Sequence, residues 1–254
     1  MKHLFSPEGN AALAAALRLQ PLLAFDFDGT LAPIVSHPSD ARIPAEVADK
    51  LRQLARRLPV AIVTGRSVAD VRARLGFEPH FVIGSHGAED VLRADESAQG
   101  ARCLEPLRQR LAARRAELDT AGVYLEDKGQ SIALHYRQAR PRRRAIALIR
   151  ELLPADDALR TFSGKMVENV VAAGSPDKAA AVQALLARSG ARSVVFAGDD
   201  VNDEPVFAAA PPEWLTVRVG RDVTDSRARF FLDGTAQVAV WLQAMLDLHA
   251  AARP

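Results

Sequence analysis

Several things are scarce in this chain, and each scarcity narrows what it can be. Of its 254 residues one is a cysteine, Cys103, so no disulfide can form within the chain and no thiolate cage for zinc can be built; the default compartment is cytoplasmic. No uninterrupted apolar run reaches the roughly 18 residues that span a bilayer. The nearest imitation of a secretory leader, Ala11 to Phe25, is interrupted by Arg18, Gln20 and Pro21, and cleavage after it would cut against the most informative motif in the chain. Net charge is nearly absent at +2, which gives no charge-based case for nucleic acid or membrane as a partner. Lysine is scarce as well: Lys2, Lys50, Lys128, Lys165 and Lys178 are the only five among 33 basic residues. In a chain so rich in alanine this reads as codon usage, yet it makes each lysine worth following.

What is present is a strong alternation of short apolar runs and amphipathic stretches. Ser6 and Pro7 form an N-cap and first turn for a helix to about Leu19, and Leu22 to Phe27, apolar except for Asp26, reads as a buried parallel strand. A helix from Pro44 to Leu58, a strand at Val60 to Val63, a Thr-Gly-Arg turn, a helix from Ser67 to Leu75 and a strand at Phe81 to Ile83 follow. After Asp90 the style changes. A helix over Leu104 to Leu118 leads into strands Val123 to Glu126 and Ser131 to Tyr136, joined at Lys128 and Gly129. A helix over Arg142 to Leu153 leads into strands Leu159 to Phe162 and Met166 to Val171, turning at Ser163 and Gly164. Beyond Gly174 the first style returns: helix Pro176 to Arg188, strand Ser193 to Ala197, helix Asp203 to Ala210, strand Leu215 to Val219 and a closing helix Thr235 to Ala250. The expected fold is α/β, a doubly wound parallel sheet formed by 1–90 and 174–254, split around an α+β insert at 91–173.

Chemistry-bearing residues gather where this reading puts strand ends. Asp26 and Asp28, two apart, project together from the carboxyl end of a buried strand, where open parallel sheets place their ligands. Adjacent carboxylates repel unless a cation or a shared proton resolves them, and oxygen donors select Mg²⁺ or a similar hard ion. Asp199, at the end of another apolar strand, can supply the remaining ligand; Asp200, Asn202, Asp203 and Glu204 after it also read as helix caps. Thr64-Gly65-Arg66-Ser67 sets a hydroxyl and free N–H groups at a helix start, an anion site. Lys178 lies in the first turn of a helix, electrostatically the wrong end for a cation, so pairing with phosphate or with Asp26 is its expected role.

Taken in order, FDFDGT at 25–30, Thr64, Lys178 and GDDVND at 198–203 resemble the four motifs of the haloacid dehalogenase superfamily of phosphotransferases. The insert lies between the second and third of them, as in members with a large α+β cap. PLLAFDFDGTLAPIVSHP at 21–38, IVTGR at 62–66, GSHGAE at 84–89, the stretch from Leu125 to Arg137 and GDDVNDE at 198–204 narrow the resemblance to the trehalose-6-phosphate phosphatases. That resemblance implies Mg²⁺-dependent hydrolysis of trehalose 6-phosphate through an aspartyl-phosphate. Asp26 is then the nucleophile and Asp28 the general acid and base. Asp26, Asp199 and the backbone carbonyl of Asp28 hold the metal, Thr64 and Lys178 bind phosphoryl oxygens, and Asp200 and Asp203 orient waters or Lys178 behind them. The sugar would be read by a set drawn from Arg66, His86, Gly87, Glu89, Glu126, Lys128, His135, Arg137, Lys165 and Glu168, although any one of these also reads as a solvated hairpin residue.

One stretch departs from the family: where the spacing from Lys165 calls for an acidic residue the chain has Asn169, with Glu168 one step early. A bulge would return Glu168 to the site; otherwise the sugar contact differs. A phosphatase of the same build acting on sucrose 6-phosphate or mannosyl-3-phosphoglycerate, or a phosphomutase, shares all the motif residues. A nucleic-acid module built on Arg140, Arg142, Arg143 and Arg144 leaves the carboxylates unexplained. The partner expected is a small sugar phosphate, with no nucleic acid or membrane, bound by a monomer.

Overall fold

Every residue of Leu22–Phe25 is buried, and a strand buried throughout needs cover on both faces. The structure, a computed structural model describing residues 1–153, 157–221 and 225–251, supplies that cover. Strand β2 (Leu22–Phe25) turns Leu23 and Phe25 toward α1 (Pro7–Arg18), α2 (Ala45–Ala55) and α10 (Val238–Ala251), where Trp241 meets Phe25 edge-on at 5.8 Å. Leu22 and Ala24 face the opposite way, toward α8 (Lys178–Ser189) and α9 (Glu204–Ala209), against Val182, Leu185, Val206 and Phe207. Helices on both faces of a parallel sheet make this an α/β fold.

The chain divides into two compact units, Met1–Gly87 with Asp177–Pro254, and Ala88–Pro176. In the first, here the core unit, strands stand side by side in the order β1 (Lys2–His3), β12 (Phe230–Leu232), β11 (Leu215–Val219), β10 (Val194–Gly198), β2, β3 (Val60–Val63) and β4 (Phe81–Gly84), all pairings among them parallel. From β2 the chain steps outward through β3 and β4; after α8 it steps outward through β10, β11 and β12 on the other side. The boundary between β2 and β10 is therefore the switch point at which open parallel sheets leave a crevice. Phe25 pairs with Ala197 in that ladder, and the Asp26 N–H donates to the Ala197 carbonyl at 2.9 Å. Side chains start these helices: Ser6 Oγ, the expected cap, accepts from the Gly9 N–H at 3.1 Å, and Asp177 caps α8 by accepting from the Ala180 N–H at 2.8 Å.

The second unit, the insert, contains β5 (Glu89–Asp90), α4 (Ala94–Cys103), α5 (Glu105–Ala113), α6 (Arg115–Thr120), β6 (Tyr124–Asp127), β7 (Ile132–His135), α7 (Arg142–Leu152), β8 (Leu159–Gly164) and β9 (Val167–Ala172). Its antiparallel sheet has the order β6-β7-β9-β8. Leu134, Ile132 and Val170 pack from one face of that sheet into a core with Leu107, Leu111, Leu118, Ile149 and Leu152 of the helices.

Two expectations fail in the insert. The single helix expected over 104–118 is two, α5 and α6, and a further helix, α4, precedes them from Ala94. None of the α4 residues is buried, so there was no apolar period to read. The turn expected at Ser163 and Gly164 falls at Lys165 and Met166 instead, with Gly164 still paired to Val167. Met166 takes the left-handed conformation there (φ 65°) that glycine adopts at less cost.

Candidate active site

At the switch point the last residues of two buried strands hand over to acids. Asp26 follows β2 and Asp199 follows β10; both are buried, as is Lys178 at the first position of α8. The Lys178 ammonium donates to Asp26 Oδ1 at 2.9 Å and to Asp203 Oδ1 at 2.7 Å. Asp203 Oδ2 in turn accepts the backbone N–H groups of Asp199 and Asp200, each at 3.0 Å. Both oxygens of Asp203 are thus engaged, and this carboxylate aims the lysine and shapes the 198–203 turn. Gly29 completes the close packing: it has φ 73°, and a Cβ there would lie 2.2 Å from Asp199 Oδ2.

The electrostatics follow from burial. Burial pushes the Asp26 carboxyl well above its usual range; Asp203 and Asp199 push the same way, and Lys178 opposes them. Burial also works against the Lys178 charge, but Asp203 first and Asp26 next more than offset it, and the ammonium keeps its proton far above the ordinary lysine range. Asp26, Asp199 and Asp203 bring carboxylate oxygens within 4.8 Å of one another with only one ammonium directly among them. Asp200 Oδ1 is buried without a hydrogen-bond partner among the described residues. An excess of buried negative charge, oxygen donors only, and an orphaned acceptor beside them fit a hard divalent cation.

Thr64 lies at the end of β3, fully buried; its Oγ1 accepts the Arg66 N–H at 3.2 Å, which leaves its O–H to donate elsewhere. His86 and Gly87 continue β4 through a turn in which Ser85, His86 and Gly87 all have positive φ, 50°, 60° and 115°. Two backbone bonds, Ser85 N–H to Arg66 O and His86 N–H to Thr64 O, tie this turn to the Thr64–Arg66 turn. The His86 ring fills the space beside Gly65, where a Cβ would lie 2.4 Å from its Cε1. Arg66, expected at the sugar, is committed elsewhere. Its Nε and Nη2 each reach one oxygen of Asp28 at 2.7 Å, and Nη1 reaches Asp70 at 2.8 Å.

Sequence reasoning passed over two residues here. Asp70 is one. The other is Arg218 on β11, 2% exposed, which donates from Nη2 to the Asp199 carbonyl at 2.7 Å and from Nη1 to Glu204 at 3.0 Å. Its signal was available: an arginine inside the otherwise apolar and buried strand LTVRV needs a buried acceptor.

In the insert, alternation along paired strands decides which side chains share a face. Glu126 pairs with Ala133, and Ala133 with Asn169, so Glu126 and Asn169 are on one face, joined there by His135. His135 Nε2 bonds Glu126 at 2.9 Å, and Lys128 Nζ is 3.5 Å from the same carboxylate. Burial alone would raise the Glu126 carboxyl, but His135 and Lys128 more than offset it and hold it below the usual range. Glu168 is placed otherwise. The ladders run without a bulge from Ile132↔Val170 to His135↔Val167 and from Leu159↔Ala172 to Gly164↔Val167. Glu168 therefore points with Leu134 to the face that packs on the helices, where both its oxygens accept from Ser163 Oγ at 2.8 and 2.9 Å. Asn169 takes the place expected of Glu168. It is 2% exposed, and its Nδ2 has no hydrogen-bond partner among the described residues. Lys165 sits exposed at the β8–β9 turn, Arg137 is exposed and reaches the Lys165 carbonyl at 3.4 Å, and Glu89 is half-buried in β5.

Solved structures with this fold include a haloacid dehalogenase-like hydrolase from B. subtilis (TM-score 0.60, 17% identity, covering 89% of this chain and 98% of that one). Another is the C-terminal domain of a trehalose-6-phosphate phosphatase from C. albicans (TM-score 0.75, 21% identity, covering 94% and 96%). The fold is thus of the haloacid dehalogenase type, with buried carboxylates at its switch point. The profile of the trehalose-phosphatase family matches residues 24–235. The trehalose-phosphate phosphatase of Mycobacterium avium is 34% identical over 245 residues, covering 89% of this chain and 62% of its own, and that of Mycobacterium tuberculosis is 33% identical over 235 residues, covering 87% and 60%. The chain belongs to the trehalose-phosphatase family, and it spans about three-fifths of the length of these curated relatives.

Proposed function

We propose that the protein hydrolyses trehalose 6-phosphate to trehalose and phosphate, as a cytoplasmic, Mg²⁺-dependent enzyme working through an aspartyl-phosphate. The observation that carries this reading is the buried Asp26–Lys178–Asp203 arrangement beside Asp199 at the switch point. Asp26, Asp199 and the backbone carbonyl of Asp28 would hold Mg²⁺, which when bound supplies positive charge to the phosphoryl oxygens and to the excess carboxylates.

An oxygen of Asp26 attacks phosphorus as the bond from phosphorus to the sugar oxygen breaks, and Asp28 gives its proton to that departing oxygen. Lys178 and the Thr64 hydroxyl donate to the transferring group, so its charge meets groups already fixed in place. Water then attacks the phosphorus, its proton passes to Asp28, and Asp26 is released. Glu126, Lys128, His135 and Asn169 on one face of the insert's sheet read the sugar hydroxyls, since they bring acceptors and donors together on rigid strands. Sucrose 6-phosphate and mannosyl-3-phosphoglycerate differ from trehalose 6-phosphate only in what those residues would meet.

Phosphate release from trehalose 6-phosphate, sucrose 6-phosphate, mannosyl-3-phosphoglycerate and glucose 6-phosphate, with and without Mg²⁺, tests the reading. Release is expected with Mg²⁺ and fastest from trehalose 6-phosphate. No release from any of them would refute the activity, and a preference for another sugar would refute the substrate.

A further inference from the structure

That mechanism gives no part to Asp70, yet the geometry around it is tightly determined. Asp70 lies in α3 (Val68–Arg72), one helical turn beyond Arg66. Its Oδ2 accepts Arg66 Nη1 at 2.8 Å and Arg74 Nε at 2.9 Å, and its Oδ1 accepts Arg74 Nη2. Its own N–H donates to Ser67 Oγ at 3.2 Å, so the carboxylate is held from behind as well. Arg66 is 11% exposed along its side chain, stacks 5.2 Å over the Phe27 ring, and gives Nη2 also to the Pro38 carbonyl at 3.0 Å.

A guanidinium can grip a carboxylate in two ways, through its two terminal amino groups or through Nε and one of them. Arg66 grips Asp28 by the second way, with Nε on Oδ2 and Nη2 on Oδ1. That choice is forced by Asp70, because Nη1 turned toward Asp70 cannot also face Asp28. Without the Asp70 carboxylate Nη1 loses its anchor, and the planar group, still bonded to Pro38 and stacked on Phe27, can shift toward the terminal grip and turn the carboxyl of Asp28 with it. We propose that Asp70 is a positioning residue of the reaction: through Arg66 it fixes the direction in which Asp28 presents its carboxyl to the departing sugar oxygen. The proposal rests on the reading above that Asp28 protonates that oxygen.

A purely structural role would slow all substrates alike, whereas a role through Asp28 is felt only where the leaving oxygen needs a proton. Single-turnover transfer with Mg²⁺ is therefore measured on trehalose 6-phosphate and on p-nitrophenyl phosphate, whose leaving group departs as an anion. Asp70→Asn should slow transfer from the sugar phosphate by about tenfold to a hundredfold, with the half-saturating concentration and the p-nitrophenolate burst each within about twofold of wild type. Equal slowing of both substrates, or an unchanged sugar-phosphate rate in a folded Asp70→Asn variant, overturns the proposal. Asp70→Glu keeps the charge but moves it by one methylene, and serves if Asp70→Asn does not fold: slowing selective for the sugar phosphate supports the proposal, and unselective slowing or none overturns it. A wild-type protein inactive on every sugar phosphate would instead refute the activity on which the proposal depends.

Discussion

The core unit and the insert present polar groups from a sheet in opposite ways. In the core unit both faces of the parallel sheet are covered by helices, so Asp26, Thr64 and Asp199 stand at the ends of strands β2, β3 and β10. In the insert, residues of one face pack on helices and the other face carries Glu126, His135 and Asn169. A strand end is a place in the chain that hardly depends on register. A sheet face depends on it entirely, because one step reverses every side chain.

That contrast is easiest to break at the strand ends. Asp26→Asn should lower phosphate release by at least about 10³-fold, since under the proposed mechanism the residue that would form the covalent bond is gone; thermal unfolding checks that the variant is folded, and release at the wild-type rate would remove Asp26 from the nucleophile's position. Lys178→Arg conserves charge, but a planar fork does not replace a compact ammonium held 2.9 Å from Asp26 and 2.7 Å from Asp203. It should cost about 10²-fold in rate. Lys50→Arg should stay within about twofold, because the polar partners of Lys50 are Gln243 and Glu46, outside that cluster.

The sheet face predicts an ordering. Asn169→Ala should raise KM for the sugar phosphate about tenfold, the effect of losing one buried hydrogen bond, and Glu168→Ala less than about twofold. Steady-state kinetics with the order reversed would mean that the register is wrong at this strand.

The smallest effect is on acid stability. The bond from Arg74, and after it Arg66, holds the Asp70 carboxyl down to about 2 against the opposing effect of partial burial. Its folded pKa thus lies below the unfolded value of about 3.9, so its stabilising contribution is complete above that value and is lost as the pH falls through 2. In urea unfolding at a series of pH values, the difference between wild type and Asp70→Asn should hold constant down to about pH 4 and shrink below it. A difference that shrinks already between neutral pH and 5 would contradict this.

The same contrast accounts for what the sequence disclosed. Leu22–Phe25 and Val60–Val63 announce buried strands because all their residues are apolar, and acids or hydroxyls directly after such runs have few other reasons to be there. Asp26, Thr64 and Asp199 were therefore legible as candidates, and Lys178 by its place in the first turn of a helix. Arg66 was legible as a candidate but its contacts were not, since its partners Asp28 and Asp70 are chosen by three-dimensional direction. In the insert, α4 buries nothing and left no period to detect. The turn fell at Lys165–Met166 rather than at the glycine nearby, which no local rule favours. Whether Glu168 or Asn169 shares the face of Glu126 rests on pairing with Ala133 and Leu134, more than thirty residues earlier in the chain.

The position of β10 beside β2 has a consequence in time. β3 follows β2 closely in sequence, but the lysine that pairs with Asp26 lies 152 residues beyond it, after the whole insert has been synthesised. The two hairpins of the insert close over short stretches of chain, whereas Asp26 waits for a loop of 152 residues to close, a slow event by its contact distance. A nascent or truncated chain ending anywhere in the insert carries Asp26 with neither its ammonium nor the neighbouring strand. During refolding, secondary structure of the insert should therefore return before activity does. Activity would therefore report the closure of a distant pairing rather than the presence of the motif.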